Sequence, residues 1–373
     1  MVSQGPGQIR GAEELTAKVT KVTNKTSSGH FTIGITRDTL RADGTSIFDK
    51  DALNIFDAAK LQWEFLPDDV KELTAAHGAQ YDALCVLNPK VPAAVVAGPN
   101  QRVRIVARMG VGYDSVDVKA CTANGVILTN TPDGVRRPVA TSILALMLAL
   151  SHKLMTKDRI TREGRWAETT NYMGVGLTGK TVGSIGVGNI GGELFRLLAP
   201  LDMVHLAYDP YAKPEDAAKL RVRLTDKETV FRESDFVCVN TPLTPETRGF
   251  IAAREFSLMK PTAYFINTAR GPVVDEQALH AALVERRIAG AALDVFAQEP
   301  IGRDHPLVAL DNVIVTPHSI CWTDEFFRGN AESAFRSVAA VAAGRTPTYV
   351  VNRDVLQQVQ LRSRFLDQHQ SGP

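Results

Sequence analysis

The chain has 373 residues, which exceeds one typical domain and predicts two domains, each large enough to bury a core. Its 42 basic and 41 acidic residues leave a net charge of +1. This balance argues against a general role on nucleic acid or at a membrane surface, because such proteins usually carry a basic excess. The four cysteines, Cys85, Cys121, Cys238 and Cys321, are far apart, with no CxxC pair and no histidine at zinc-ligand spacing. We therefore expect free thiols in a reducing cytoplasm and no metal site.

Residues 1–29 are rich in Gly, Ser, Thr and Lys and show little apolar periodicity, so we expect a loose extension there. They contain no cationic region followed by an apolar core, and we expect no secretion signal. The longest apolar stretch, Val139–Leu150, is interrupted by Thr141 and Ser142 and is too short to span a bilayer. We expect instead a buried helix with Pro138 in its first turn.

From residue 31 onward, short β-rich segments alternate with helical segments. Strands separated by helices form a parallel sheet with helices on both faces. The first series of predicted strands is Phe31–Thr36, Leu61–Phe65, Ala83–Leu87, Val103–Ala107 and Val126–Thr129, and the second is Thr181–Val187, Val204–Tyr208, Phe236–Asn240, Ala263–Asn267, Ala291–Leu293 and Val313–Thr316. The sequence therefore predicts two α/β domains. The helical segment 325–343 has no strand of its own to cover, and we expect it to pack back on the first domain.

A glycine-rich motif, GVGNIG, lies between the strand-like segment 181–187 and the helical segment 193–198. Its first glycine permits a tight turn, its second lets the backbone approach a diphosphate, and its third lets the helix pack close to the strand. The diphosphate then meets unpaired N–H groups and the positive end of the helix dipole. The residues of this predicted diphosphate site are Gly186, Gly188, Asn189, Ile190 and Gly191.

Asp209 ends the next predicted strand, roughly 20 residues after the last glycine of the motif. A carboxylate there accepts hydrogen bonds from both ribose hydroxyls and repels a 2′-phosphate. The residues that follow, Pro210 and Tyr211, bring no arginine. The sequence therefore predicts a Rossmann-type dinucleotide site that prefers NAD.

Ligands of open parallel sheets bind beyond the carboxyl ends of the strands. In the second series the residues at these ends are Arg270, Asp294 and His318, and Glu299 follows shortly after Asp294. In the first series the segment 110–112, Gly-Val-Gly, holds the same position. An arginine, a carboxylate and a histidine at one sheet edge suggest anion binding and proton transfer.

Each of these residues also has a simpler interpretation. Arg270 could be a surface arginine, Glu299 a solvated loop acid, and His318 a helix cap or a core histidine. The neighbouring Gly271 and Pro317 favour a ligand site, because they allow close backbone approach and fix the direction of the chain. Three other histidines have no convergent partner in the sequence and are not expected to be catalytic: His205, His280 and His305.

Six segments, in this order and over roughly residues 80–325, resemble those of the D-isomer-specific 2-hydroxyacid dehydrogenases. They are Arg108–Asp114, Gly186–Gly191, Thr241–Gly249, Met259–Gly271, Ala292–Pro300 and Thr316–His318. The resemblance implies an NAD-dependent oxidoreductase with two doubly wound parallel-sheet α/β domains. A Rossmann cofactor domain (132–322) would be inserted in a flavodoxin-like substrate-binding domain (30–131 and 323–373).

The resemblance also implies a catalytic set of Arg270, Glu299 and His318. Backbone N–H groups near Val111 and Gly112 would help Arg270 and His318 to hold the substrate. The cofactor contacts implied beyond the glycine motif and Asp209 are Thr241, Pro242, Thr247, Thr268, Ala269, His318 and Asp294, the last on the nicotinamide amide. A homodimer formed largely through the cofactor domains is implied as well.

The chemistry of these side chains fits the oxidation of a small D-2-hydroxy acid to its 2-oxo acid and the reverse reaction. As C2 gives a hydride to the nicotinamide, the hydroxyl proton must leave, and a neutral imidazole can take it. A nearby Glu299 would favour the imidazolium and keep His318 a proton donor during reduction. Arg270 can hold the substrate carboxylate as a planar fork and polarise the carbonyl.

Arg136 and Arg137 stand where many members have a Val-Ala-Glu-His-like start to the long interdomain helix. Two interpretations stay open: a basic cap on the surface or at the dimer seam, or contact with a second substrate anion. The loop 87–90, Leu-Asn-Pro-Lys, lacks the Arg-Ser-x-Thr pattern of phosphoglycerate dehydrogenases, and we expect no C-terminal regulatory domain. These features favour glyoxylate, hydroxypyruvate or a sugar acid over 3-phosphoglycerate.

The alternative from another functional class is an NAD-sensing, corepressor-like binding protein on the same fold. Such a protein would need a peptide-binding groove and nuclear partners. The near-zero net charge and the lack of a basic localisation run favour the enzyme.

Overall fold

A computed structural model describes residues 30–358. The predicted loose extension, 1–29, and the last part of the predicted substrate domain, 359–373, lie outside the described residues. The described chain divides into two compact units, the first made of residues 30–135 and 324–358 and the second of residues 136–323.

Each unit is built on one parallel sheet with helices. The strands are β1 Thr32–Ile35, β2 Gln62–Phe65, β3 Ala83–Val86, β4 Ile105–Arg108, β5 Ile127–Thr129, β6 Thr181–Ile185, β7 Val204–Tyr208, β8 Arg223–Leu224, β9 Phe236–Val239, β10 Tyr264–Asn267, β11 Gly290–Leu293 and β12 Val313–Val315. The α-helices are α1 Lys50–Ala58, α2 Ala75–Gln80, α3 Ala93–Val96, α4 Val118–Ala123, α5 Pro132–Ser151, α6 Leu154–Arg162, α7 Asn189–Leu198, α8 Pro214–Lys219, α9 Lys227–Glu233, α10 Ala253–Leu258, α11 Glu276–Val284 and α12 Asp324–Ala342.

The sheet of the first unit has the order β2-β1-β3-β4-β5, with all neighbours parallel. This is the flavodoxin-like order. Helix α12 packs against α1, β3 and β4. Its buried residues Ala331, Ala334, Phe335 and Val338 recur at helical spacing and join the core of this unit. The C-terminal helix therefore completes the fold that the N-terminal strands begin.

The sheet of the second unit has the order β12-β11-β10-β9-β6-β7-β8, again all parallel. The chain moves outward from β6 through β7 to β8 and then crosses to β9 on the other side of β6. That reversal between β6 and β9 is the point where doubly wound sheets bind a dinucleotide. The predicted fold class, two doubly wound parallel-sheet domains, is confirmed. The edge strand β8 has two residues and was not predicted.

Helix α5 begins earlier than the sequence suggested. It starts at Pro132, and Pro138 lies inside it rather than in its first turn. In the first turn, a Cβ on Gly134 would lie 2.4 Å from the backbone of Gly329 in α12, so two glycines allow these helices to approach closely. By length and composition alone, α5 could cross a membrane, a test that core helices of soluble proteins also pass, and 50% of its apolar window is buried.

Candidate active site

The glycine motif forms a tight turn between β6 and α7 that only glycine can make. Gly186 has φ +97°, and a Cβ there would lie 2.6 Å from the carbonyl oxygen of Asn240. A Cβ on Gly191 would lie 2.5 Å from the carbonyl oxygen of Gly186. By contrast, apart from its chain neighbours, no atom of residues 30–358 lies within 4 Å of a Cβ built on Gly188, the N-cap of α7. The open space above Gly188, at the positive end of a helix, therefore fits a diphosphate.

Asp209 follows β7 and contacts the glycine turn directly. Its Oδ2 accepts a hydrogen bond from the Val187 N–H at 2.9 Å, and its Oδ1 accepts one from the Tyr211 N–H at 2.9 Å. A carboxylate has about four acceptor sites, so both oxygens can still accept from ribose hydroxyls. The turn and its neighbouring acid together fit NAD.

The loops after β9 and β10 hold the other residues implied in cofactor binding. Thr247 ties the first loop, because its hydroxyl donates to the carbonyl of Pro242 at 2.6 Å and accepts from the Thr244 N–H at 2.7 Å. Asn267 ties the second loop, where its side chain accepts from the Ala269 N–H at 3.0 Å. The residues placed on these two loops are Thr241, Pro242, Thr247, Thr268 and Ala269.

Glu299 and His318 form a hydrogen-bonded pair at the carboxyl edge of the second sheet. The Nδ1 atom of His318 lies 2.7 Å from Oε2 of Glu299, and Oε1 of Glu299 accepts from the Phe296 N–H at 2.9 Å. Burial raises the pKa of Glu299, but the hydrogen bonds from His318 and Phe296 and the charge of Arg270 outweigh it, so the pKa lies below its usual value. The carboxylate is therefore ionised at neutral pH.

Asp294 lies at the end of β11, almost fully buried at 3% exposure. Its Oδ1 accepts from the Thr316 hydroxyl at 2.6 Å and from the N–H groups of Ser319 and Ile320 at 3.0 and 3.3 Å. Burial raises the pKa of Asp294, and these hydrogen bonds lower it in part. Because Ser319 follows His318 in the chain, Asp294 anchors the turn that carries the histidine.

Arg270 follows β10, which pairs with β11, which in turn pairs with β12. Its Nη1 donates to the carbonyl of Ala269 at 2.8 Å. A Cβ on the next residue, Gly271, would lie 1.9 Å from the carbonyl group of Phe296, so the backbone here packs against the loop of Glu299. The structure thus gathers Arg270, Asp294, Glu299 and His318 at one edge of the sheet.

Val111 and Gly112, in the first unit, lie in the loop that follows β4. The loop is held by Asn130, whose Nδ2 donates to the Val111 carbonyl at 3.0 Å, and by Thr131, whose Oγ1 accepts from the Gly110 N–H at 2.7 Å. Within residues 30–358, the N–H groups of Val111 and Gly112 donate no hydrogen bond. Two adjacent backbone donors are therefore available for an anion.

His305 has a partner that the sequence did not reveal. Its Nε2 lies 2.9 Å from Oε1 of Glu276, the first residue of α11. The other oxygen of Glu276 accepts from the Ala297 N–H at 2.9 Å, in the loop of Glu299. The expectation that His305 has no convergent partner is therefore wrong. The partner lies 29 residues away in the chain, and an acid at a helix start ordinarily indicates only a favourable helix dipole.

Arg136 and Arg137 lie inside α5 rather than before it, and both pair with one carboxylate. Their Nε atoms lie 3.6 and 3.0 Å from the oxygens of Glu193 on α7, and Arg196 Nη1 lies 3.0 Å from the same group. The Glu193 side chain is only 5% exposed, while the arginines are about half exposed. A buried carboxylate requires such compensation, so the two arginines have a structural partner.

The fold and the glycine turn with its acid define a dinucleotide-binding protein. A family model described as "D-isomer specific 2-hydroxyacid dehydrogenase, NAD binding domain" matches residues 144–319. A glyoxylate reductase from Thermofilum pendens is 39% identical over 279 residues, which cover 74% of this chain and 82% of the relative. A D-3-phosphoglycerate dehydrogenase from Archaeoglobus fulgidus is 40% identical over 246 residues, which cover 66% of this chain but 46% of the relative.

Among solved structures, D-lactate dehydrogenase from Aquifex aeolicus complexed with NAD and lactic acid is similar, with a TM-score of 0.71 and 25% identity. The match covers 84% of this chain and 96% of that one. The chain belongs to the D-isomer-specific 2-hydroxyacid dehydrogenase family. It is an NAD-dependent oxidoreductase that acts on a D-2-hydroxy acid, and the predicted cofactor, NAD, is confirmed.

Proposed function

We propose that the protein interconverts a small D-2-hydroxy acid, of the glyoxylate, hydroxypyruvate or sugar-acid type, and its 2-oxo acid, with Arg270, Glu299 and His318 as catalytic residues. The observation that carries this assignment is the 2.7 Å separation between His318 Nδ1 and Glu299 Oε2. Because Nδ1 faces the carboxylate, Nε2 is the ring nitrogen that can meet the C2 oxygen of a substrate.

When bound, NAD supplies hydride chemistry at C2. During reduction, His318 donates the Nε2 proton to the C2 oxygen as the carbonyl becomes a hydroxyl, and in oxidation the neutral ring takes that proton back. Glu299 stabilises the imidazolium form, because its carboxylate is ionised and hydrogen-bonded to the ring. His318 therefore exchanges one proton in each direction.

Arg270 binds the substrate carboxylate and polarises the carbonyl in this proposal. The N–H groups of Val111 and Gly112 supply further hydrogen bonds to the carboxylate. Asp294 would hold the nicotinamide amide, and Oδ1 already has three donors from the protein. The remaining contacts proposed for the cofactor come from the loops that carry Thr241, Pro242, Thr247, Thr268 and Ala269.

The choice of substrate rests on two observations. Glyoxylate reductase relatives match over most of their length, whereas the phosphoglycerate dehydrogenase relative matches over 46% of its length. The loop of Asn88, which follows β3, lacks the arginine that would pair with a phosphate. The test is a screen of 2-oxo acids with NADH at matched concentrations, read from the loss of nicotinamide absorbance. Highest kcat/KM for 3-phosphohydroxypyruvate would reject this substrate class.

We also propose a homodimer formed through the second unit. Four large apolar side chains are exposed on α6 and the segment that follows it: Leu154 at 56%, Met155 at 57%, Trp166 at 71% and Met173 at 74%. Several large apolar side chains exposed close together in the chain favour a protein interface. Light scattering should give a molar mass twice that of one chain. The double variant Trp166→Ser, Met173→Ser should lower this mass to that of one chain. Val284→Ser, at a similarly exposed site elsewhere, is the control.

A further inference from the structure

A second carboxylate–histidine pair lies beside the loop that carries Glu299. Glu276 accepts from the Ala297 N–H through Oε2 and lies 2.9 Å from His305 Nε2 through Oε1. Both side chains of the pair are largely buried, with 23% and 19% exposure for Glu276 and His305. The His305 ring also meets the Phe296 ring edge to face, with centroids 5.8 Å apart.

One ring nitrogen of His305 makes the hydrogen bond of the pair, and the other makes none in the described part of the chain. Among residues 30–358, the buried Nδ1 of His305 has no hydrogen-bond partner. Because Nε2 faces a carboxylate oxygen, we assign a proton to Nε2, which donates to Glu276. Both oxygens of Glu276 are then engaged, one by the histidine and one by the backbone.

Two consecutive N–H groups of one loop are thus held by two different carboxylates. The Phe296 N–H donates to Glu299, and the Ala297 N–H donates to Glu276, each at 2.9 Å. The peptide that joins Phe296 to Ala297 also packs against Gly271, where a Cβ would lie 1.9 Å from the Phe296 carbonyl and 2.5 Å from the Ala297 nitrogen. The peptide between Phe296 and Ala297 therefore links Glu276 to the residue after Arg270, and it adjoins the peptide whose N–H, that of Phe296, orients Glu299.

We propose that Glu276 and His305 are positioning residues for the Glu299–His318 pair, an inference that rests on the proposed function. They act through the peptide between Phe296 and Ala297 and touch neither substrate nor cofactor. Without the Glu276 carboxylate, water replaces it at the Ala297 N–H and the peptide can rotate. This rotation moves the Phe296 Cα and displaces the adjoining peptide, so that its N–H, the Phe296 donor, no longer fixes the Glu299 carboxylate against the imidazole.

The test uses the full-length enzyme and three variants, Glu276→Ala, Glu276→Gln and the control Asp226→Ala. Asp226 is also a carboxylate at a helix start and accepts two hydrogen bonds from Thr229, at 2.8 and 2.7 Å, but it does not contact the loop of Glu299. The measurements are kcat and KM for glyoxylate reduction across pH, and the Kd of NADH from fluorescence titration without substrate.

Glu276→Ala should lower kcat by about tenfold to a hundredfold, the range expected when a reacting group is misplaced by about 1 Å. The alkaline limb of the reduction profile should move to lower pH, because the carboxylate no longer stays against the imidazolium. Glu276→Gln should give a kcat and a shift of the alkaline limb between those of the parent and Glu276→Ala, since its amide oxygen still accepts one hydrogen bond. The Kd of NADH should not change, and Asp226→Ala should leave kcat and the limb as in the parent enzyme.

Added to Glu299→Gln, the Glu276→Ala change should lower kcat much less than it does alone, because the pair it positions is already broken. Parent-like kcat and pH profile in Glu276→Ala, with His318→Ala inactive, would overturn the positioning role and leave the proposed function intact. The positioning role would also be overturned if Glu276→Ala lowers kcat without moving the alkaline limb of the pH profile and Asp226→Ala does the same. Near-normal turnover in His318→Ala would overturn the proposed function itself.

Discussion

Glu299 joins its own loop to His318, because one carboxylate oxygen accepts from the Phe296 N–H at 2.9 Å and the other lies 2.7 Å from the imidazole Nδ1. The loop and the histidine come from the ends of neighbouring strands, β11 and β12. Burial of Glu299 raises its pKa, but the hydrogen bonds and the charge of Arg270 bring the pKa below the usual value. The Glu299 side chain is therefore a carboxylate at neutral pH.

This direction of the Glu299 pKa predicts where acid should inactivate the enzyme. A depressed pKa keeps the carboxylate charged to lower pH, and its interaction with His318 is lost only as the pH falls through the lowered value. We expect kcat/KM for 2-oxo-acid reduction to show no acid limb from Glu299 above pH about 4.3, the pKa of a free glutamate. An acid limb above that pH that vanishes in Glu299→Gln would contradict this assignment.

Asp209 should set the preference for NADH over NADPH. Because its carboxylate also accepts from the Val187 and Tyr211 N–H groups, Asp209→Ala would disturb the glycine turn as well as the charge. Asp209→Asn keeps one acceptor and removes the charge that repels a 2′-phosphate. We expect Asp209→Asn to raise KM for NADH by about tenfold, because a charged hydrogen bond is lost. The difference in kcat/KM between NADH and NADPH should become smaller. Equal efficiency with both cofactors in the parent enzyme would reject this role.

Gly271→Ala should disrupt the active site through the backbone. A methyl group there would overlap the Phe296 carbonyl at 1.9 Å, so the loop of Glu299 must move away from Arg270. We expect kcat to fall by about a hundredfold. Gly176→Ala is the matched control, because in the described part of the chain no atom beyond the neighbouring residues lies within 4 Å of a Cβ at Gly176. Steady-state kinetics of the two variants check this prediction, and similar kcat values in both would refute the proposed contact.

Arg136 and Arg137 should matter for stability through Glu193. With both replaced by alanine, the nearly buried carboxylate keeps only Arg196. We expect the free energy of unfolding to fall by about 1 to 3 kcal/mol, as for a buried polar group that loses partners. Arg286→Ala, which breaks an exposed ion pair, should cost at most about 1 kcal/mol. Urea unfolding measures the free energy of unfolding of the parent and of both variants. Equal losses of stability in the two variants would show that Arg196 alone compensates the Glu193 carboxylate.

Most of the fold could be predicted because buried parallel strands are continuous apolar runs, and β9, for example, was predicted to within one residue. The edge strand β8 was missed because two residues, Arg223 and Leu224, carry no periodicity. The start of α5 was missed because Pro138 suggested a helix start, while Pro132 occupies that position. Local sequence patterns therefore identified most helices and strands. The errors fell on a very short strand and on a proline-containing helix, whose bounds depend on the packing of neighbouring segments.

The residues at the carboxyl ends of the strands could be predicted because sheet topology alone places Arg270, Asp294 and His318 at one edge. The contacts that hold these residues in place could not be predicted. Glu276 and His305 meet only after the chain has folded, and the three donors to Asp294 come from a loop whose path the sequence does not specify. Pairing of Arg136 and Arg137 with Glu193 likewise depends on how two helices pack.

The most direct test of the catalytic assignment is the pH profile of 2-oxo-acid reduction by the parent enzyme, His318→Ala and Glu299→Gln, with the Kd of NADH measured for each. His318→Ala should lose about 10² to 10⁴ in kcat, the usual contribution of general acid catalysis, while NADH binding persists because the glycine turn and Asp209 are unchanged. Glu299→Gln should be milder and should move the alkaline limb to lower pH, since the imidazolium loses its neighbouring charge. Near-normal turnover in His318→Ala, or an alkaline limb that Glu299→Gln leaves in place, would contradict the account.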